Sequence, residues 1–163
     1  MKHKKMDKID REIVSLLQST GRMTNVELAE RVGISAPPCL RRVKALEDNG
    51  IIKSYHACLD RAVFGYTVTV FAHVKLERQT EEDLLAFENH VADLSMVREC
   101  HMIAGEVDFF LKIMAKSWDD YQSFRSCDLT TAANVSSIKS AMVMRTAKEE
   151  YGIPVDMDDE AAA

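Results

Sequence analysis

Three groups of residues in this chain have the types and spacing to do chemistry. The first is Arg41, Arg42 and Lys44, which follow Ser35-Ala36-Pro37-Pro38 on one helical stretch. Cations behind a tip of small residues suit a helix inserted into the major groove of DNA with its N-terminal end at the base edges. At about 100° per residue, Cys39, Val43, Leu46 and Gly50 fall on one side, and Arg41 falls nearly opposite, flanked by Pro37, Lys44 and Ala45. A plain helical hairpin with a solvated basic face has the same composition. The second group is the turn Gly105-Glu106-Val107-Asp108. A carboxylate in a partly dry cleft needs a cation or several donors, although an acid just after a glycine turn also serves to accept backbone N–H groups. The third group is Cys39, Cys58, Cys100 and Cys127 with five histidines. They show neither CxxC nor HxxxH spacing. Cys100 and His101 would point to opposite faces of a strand, and His56 with Cys58 makes only two ligands, so buried free thiols are expected rather than a metal. No nucleophile–base pair, carboxylate pair or glycine-rich phosphate loop stands out, so neither an enzyme nor a cofactor is expected.

The elements that position the basic group read as three helices. Asp10 begins the first, with Ile13, Val14, Leu16 and Leu17 inward, ending near Thr20–Gly21. Thr24 and Glu27 form a capping box for the second, whose apolar stripe is Val26, Leu28, Ala29 and Val32. Gly33 breaks it where a left-handed residue costs least, and Ile34 plugs the corner. Ser35 can cap the third helix, Pro37 and Pro38 sit in its first turn, and Gly50 ends it. The candidate DNA contacts are Asn25, Ser35, Ala36, Pro37, Pro38, Arg41, Arg42 and Lys44. Arg41 is the candidate for a base edge, and Arg42 and Lys44 for phosphates. The following Ile51–Leu59 is extended, either a wing-like strand or a linker.

The period then changes. Val68, Val70, Ala72, Val74 and Leu76 alternate as a half-buried strand. Thr80 with Asp83, and Ser117 with Asp120, open two helices, the first with Leu84, Phe87, Val91 and Leu94 inward and the second with Trp118, Tyr121 and Phe124. Val97–Ile103, Val107–Ala115 and Val135–Arg145 complete a β-α-β-β-α-β order, the ferredoxin-like plan. The fold class is α+β, a helix-turn-helix domain over 1–60 and a sensing and oligomerisation domain over 61–155. An acidic disordered tail is expected over 156–163, and a flexible basic arm over Met1–Lys8. Two helices cover one sheet face only, yet Phe110 and Met114 face away from Phe109, Leu111 and Ile113, and the last strand is apolar on both sides, Met142 included. An uncovered apolar face predicts a homodimer.

Charge divides the same way. The whole chain carries −5, but residues 1–61 hold 12 basic against 8 acidic side chains, and the remainder 9 against 18. Only the first part is suited to meet phosphate. No apolar run approaches a membrane span and no leader precedes the first domain, so a cytoplasmic protein is expected.

From about Asp7 to Pro154 the chain resembles the Lrp/AsnC, or feast/famine, family of transcription regulators. The resemblance rests on IDREIVSLLQSTGRMTNVELAERVGISAPPCLRRVKALEDNGIIKSYHACLD and on VRECHMIAGEVDFFLKIMA around a G-x-x-D motif. It implies a sequence-specific regulator whose partners are an operator duplex, a second copy of itself and a small molecule. It also implies dimers that assemble to tetramers or octamers, and an amino-acid effector held between subunits. Gly105, Glu106, Asp108 and Ser140 carry over as effector contacts. The last strand reads Ile138-Lys139-Ser140 where many members place two threonines, so only Ser140 transfers from that strand. The alternative is a metabolite-binding sensor or small enzyme of ferredoxin-like fold whose N-terminal part does not bind DNA.

Overall fold

The computed structural model describes residues 6–157. Its helices are α1 (Lys8–Ser19), α2 (Asn25–Arg31), α3 (Ala36–Asp48), α4 (Glu81–Ala92) and α5 (Trp118–Phe124), the last running into a π turn at Arg125–Leu129. Its strands are β1 (Val68–Leu76), β2 (Val97–Met102), β3 (Phe109–Ala115) and β4 (Val135–Met142). The chain forms two units. One runs to Cys58 and takes in the chain from Lys148; the other is Leu59–Ala147.

In the helical unit each start has a chemical cause. Asp7 accepts the Asp10 N–H at 2.9 Å and the Asp10 carboxylate returns to the Asp7 N–H, a reciprocal cap. The first helix therefore begins at Lys8, ahead of the expected Asp10, and Met6, expected in the flexible basic arm, packs on the helical core. Residues 1–5 lie outside the described residues. Thr24 and Glu27 form the expected box, the Thr24 N–H donating to Glu27 at 2.8 Å. Gly33 then turns the chain at φ +71°. Ser35 is extended at the start of α3 but its side chain caps nothing. The N–H groups that a capping hydroxyl would meet belong to the second and third helical residues, and these are Pro37 and Pro38, which have none. Ile13, Leu28, Ala29, Val32, Cys39, Val43 and Leu46 make the buried core.

Ile51–Leu59 forms no strand ladder among the described residues. The Ile51 and Ile52 N–H groups both turn back to the Leu46 carbonyl, and the Tyr55 hydroxyl donates to Glu47 at 2.9 Å. Within this chain the stretch is laid along its own helices. The residues from Lys148 to Val155 group with the helices as well, whereas the expectation placed them with the sheet. The expected tail lies, from residue 158 onward, outside the described residues.

The sheet unit has strand order β2-β3-β1-β4, every pair antiparallel, which with the element order is the ferredoxin-like plan. Alternation decides the faces. Val70, Ala72 and Val74 of β1 and Phe109, Leu111 and Ile113 of β3 bury against Phe87 and Val91 of α4 and Tyr121 of α5. The Phe87 and Phe109 rings lie 4.6 Å apart. The opposite face carries Phe71, His73, Phe110 and Met114, none covered by α4 or α5. Met142 is not among them. It pairs with Val70, so it lies on the helix side, at the sheet edge. Cross-strand register, which β4's own alternation does not contain, decides this. β3 starts at Phe109 and not Val107, and β4 stops at Met142 and not Arg145, because the last bond to β1 runs from the Val143 N–H to the Thr69 carbonyl.

Candidate nucleic-acid interface and sensing turn

α3 presents two unlike faces. Cys39, Val43 and Leu46 are buried, while Pro37, Leu40, Arg41 and Lys44 point outward. Among the described residues neither Arg41 nor Lys44 has an ion-pair or side-chain hydrogen-bond partner. Two cations left over after the fold has satisfied itself are available for phosphates and base edges. Ser35, with Ala36 and Pro38 half-buried, forms the α3 tip, and Asn25 is exposed at the first position of α2. Leu40, 50 % exposed, escaped the sequence reading. It lies three residues after Pro37 and four before Lys44, hence on the same face, and it offers the apolar contact that a thymine methyl accepts.

Arg42 departs from expectation. Its Nη1 donates to Asp7 and to Asp10, both at 2.7 Å. The guanidinium is thereby committed to the N-terminus of α1 and locks α3 onto it. The Asp10 N–H and then Arg42 hold the Asp7 carboxyl below the ordinary carboxylate range. A depressed folded-state value means that this contribution is present above the ordinary carboxylate pKa and is lost as pH falls through the lowered one. Arg42→Ala is therefore expected to destabilise the helical unit by about 1 kcal/mol, a modest figure because the pair is partly exposed. It should leave the salt dependence of DNA binding unchanged. Thermal melts with salt titrations check this, and a flatter salt slope would restore the phosphate role.

In the sheet unit the turn Gly105–Glu106 is exposed. It is closed by the Ile103 N–H donating to the Asp108 carbonyl at 2.9 Å, and the Asp108 N–H donates to the Val74 carbonyl at 2.9 Å. The Asp108 carboxylate accepts the Leu76 N–H at 2.7 Å and the Gln79 amide at 3.4 Å. It pins the end of β1 to the hairpin. Ser140 is elsewhere. It lies opposite Ala72 on the helix-side face, and its hydroxyl bonds that of Tyr121. Within one chain, then, Gly105, Glu106 and Asp108 come together and Ser140 does not join them. Asp108→Ala strips the buried Leu76 of its N–H acceptor, so the ligand-free melt should fall by about 1–3 kcal/mol. An unchanged melt would free the carboxylate for a ligand.

The open sheet face is the third feature. Phe71 stacks on Phe110 with centroids 5.1 Å apart, and His73 tilts against Phe110 at 5.0 Å. Lys112 donates to Glu99 at 2.9 Å beside them, and that bond holds the Glu99 carboxyl below its ordinary range. Among the described residues no cluster of three His, Cys, Asp or Glu side chains suits a metal, and no helix is long and apolar enough to cross a membrane.

Two family models match separate stretches of the chain. Residues 6–53 match a model described as winged helix-turn-helix DNA-binding, and 69–153 one described as Lrp/AsnC ligand binding domain. A leucine-responsive regulatory protein of Rhizobium meliloti is 43 % identical over 150 residues, 92 % of this chain and 96 % of that protein. The leucine-responsive regulatory protein of Escherichia coli is 34 % identical over 90 % of this chain and 89 % of its own length. A solved transcriptional regulator from Neisseria meningitidis in complex with L-Met superposes with a TM-score of 0.90 at 32 % identity, covering 93 % of this chain and 98 % of that one.

Proposed function

We propose, from the premise that this chain belongs to the Lrp/AsnC family of DNA-binding transcription regulators, a specific division of labour within it. The outward face of α3 reads an operator, with Arg41 at a base edge and Lys44 on phosphate. Leu40 and the tip Ser35–Pro38 lie against the groove wall, and Asn25 at the start of α2 meets the backbone. The observation that carries this reading is that Arg41 and Lys44 are left without partners while their neighbour Arg42 is consumed by the fold. Such a protein works where the DNA is, in the cytoplasm, and performs no catalysis.

The effector is an amino acid. The L-Met complex of the Neisseria relative supports that class. It binds at the exposed turn Gly105–Glu106, where main-chain N–H groups suit its carboxylate, and Asp108 holds the turn in shape. Two copies pair through the aromatic centre of the open sheet face, and dimers build tetramers or octamers. A gel shift on the gene's own upstream region, with and without mixed amino acids at fixed salt, tests the reading. A retarded band that survives excess random duplex and changes with amino acids is expected. A band that random duplex removes completely at every condition would defeat it.

A further inference from the structure

We propose that the groove between α1 and residues 51–55 is a peptide-docking site whose occupant is the C-terminal segment Tyr151–Asp156 of the same chain. The Gln18 side-chain amide reads the segment's main chain in both directions. Its Nε2 donates to the Ile153 carbonyl at 3.0 Å, and its Oε1 accepts the Ile153 N–H at 2.8 Å. One amide making both bonds to one residue does what a neighbouring strand would do. Arg11 adds a third main-chain contact, Nη1 donating to the Asp156 carbonyl at 2.9 Å. Between these anchors Pro154 fixes φ and reduces the freedom lost on docking. Val155 is half-buried while Ile153 stays 73 % exposed, so recognition falls chiefly on the main chain.

Gly152 marks the site as built for close approach. Its φ is +103°, a region that side chains rarely adopt, and a Cβ there would stand 2.5 Å from Gln18 Oε1. Gln18 would have to leave the position from which it holds Ile153. The consequence is topological. The chain leaves the helical unit at Cys58 and is back in it from Lys148, so the stretches before and after the sensing unit belong to the helical unit. The returning segment lands on α1, the helix that Arg42 of α3 also grips. The inference does not depend on what the operator or effector is.

Amide hydrogen exchange on the full chain tests it, read at the Ile153 N–H. Gln18 is exposed and alanine is the better helix former, so Gln18→Ala leaves α1 intact. Exchange at Ile153 should rise about tenfold in Gln18→Ala, as expected for losing two modest hydrogen bonds, with α1 amides unaltered. Gly152→Ala should do the same from the other side of the contact. Gln18→Glu keeps the acceptor but loses the donor and should fall between. Free-peptide exchange at Ile153 in the natural chain, or slow exchange that survives Gln18→Ala, would overturn the proposal. Protection that fades on dilution would assign the segment to a second copy and overturn it too.

Discussion

Arg41→Ala should weaken binding to the preferred operator by about 1–3 kcal/mol, roughly 5- to 150-fold, and relax the base preference at one position of each half-site. The expectation follows from what α3 does with its cations. Arg42 spends its guanidinium on Asp7 and Asp10, so removing it weakens the unit and not the recognition. Arg41 is exposed on the face opposite the buried Cys39, Val43 and Leu46, and nothing in the helical unit changes when it goes. Lys44→Ala makes the contrast, because losing a phosphate contact weakens all sequences alike and lowers the salt slope by about one unit. Affinities of both variants for the best site and for random duplex, at several salt concentrations, separate the roles.

Phe110→Asp should abolish dimerisation through the sheet. Phe110 sits at the centre of the open face with Phe71 stacked on it and His73 against it. If a second copy covers that face, the new carboxylate would be buried there, and the nearby Lys112 is already paired with Glu99. An unpaired buried charge costs about 3–5 kcal/mol, so the dissociation constant should rise by two orders of magnitude or more. Phe110→Leu keeps the face apolar and should remain dimeric, which separates loss of pairing from loss of fold. Light scattering across micromolar concentrations reads both. A Phe110→Asp chain that stays dimeric would place the interface elsewhere.

Much of this architecture was legible in the residues. Thr24 with Glu27 announced a helix start because a capping box is local chemistry, complete within four residues. The alternation of β3 announced its buried face for the same reason. What stayed hidden depended on reach across the chain. Helical angle placed Arg42 toward the flank of α3 but said nothing of Asp7, 35 residues earlier. The Asp108 carboxylate was drawn to Leu76, 32 residues away, by a backbone donor that no side-chain pattern reveals. The face that Met142 takes was decided by its register against β1, which β4's own residues do not contain. The capping hydroxyl expected of Ser35 failed for a reason already in the sequence, since Pro37 and Pro38 offer it no N–H. Residues 148–157 carry no period at all, and their return to α1 rests on Gln18 and Arg11, two ordinary polar residues.

The most direct measurement of the central claim is selection of bound duplexes from a random-sequence pool by the full chain, beside the Arg41→Ala chain, at one salt concentration. Two copies presenting two α3 helices should enrich a near-palindrome with half-sites about one helical turn apart. Arg41→Ala should enrich the same motif with one position in each half blurred. A pool that yields no motif, or an unchanged motif from Arg41→Ala, would contradict the assignment of DNA reading to this face.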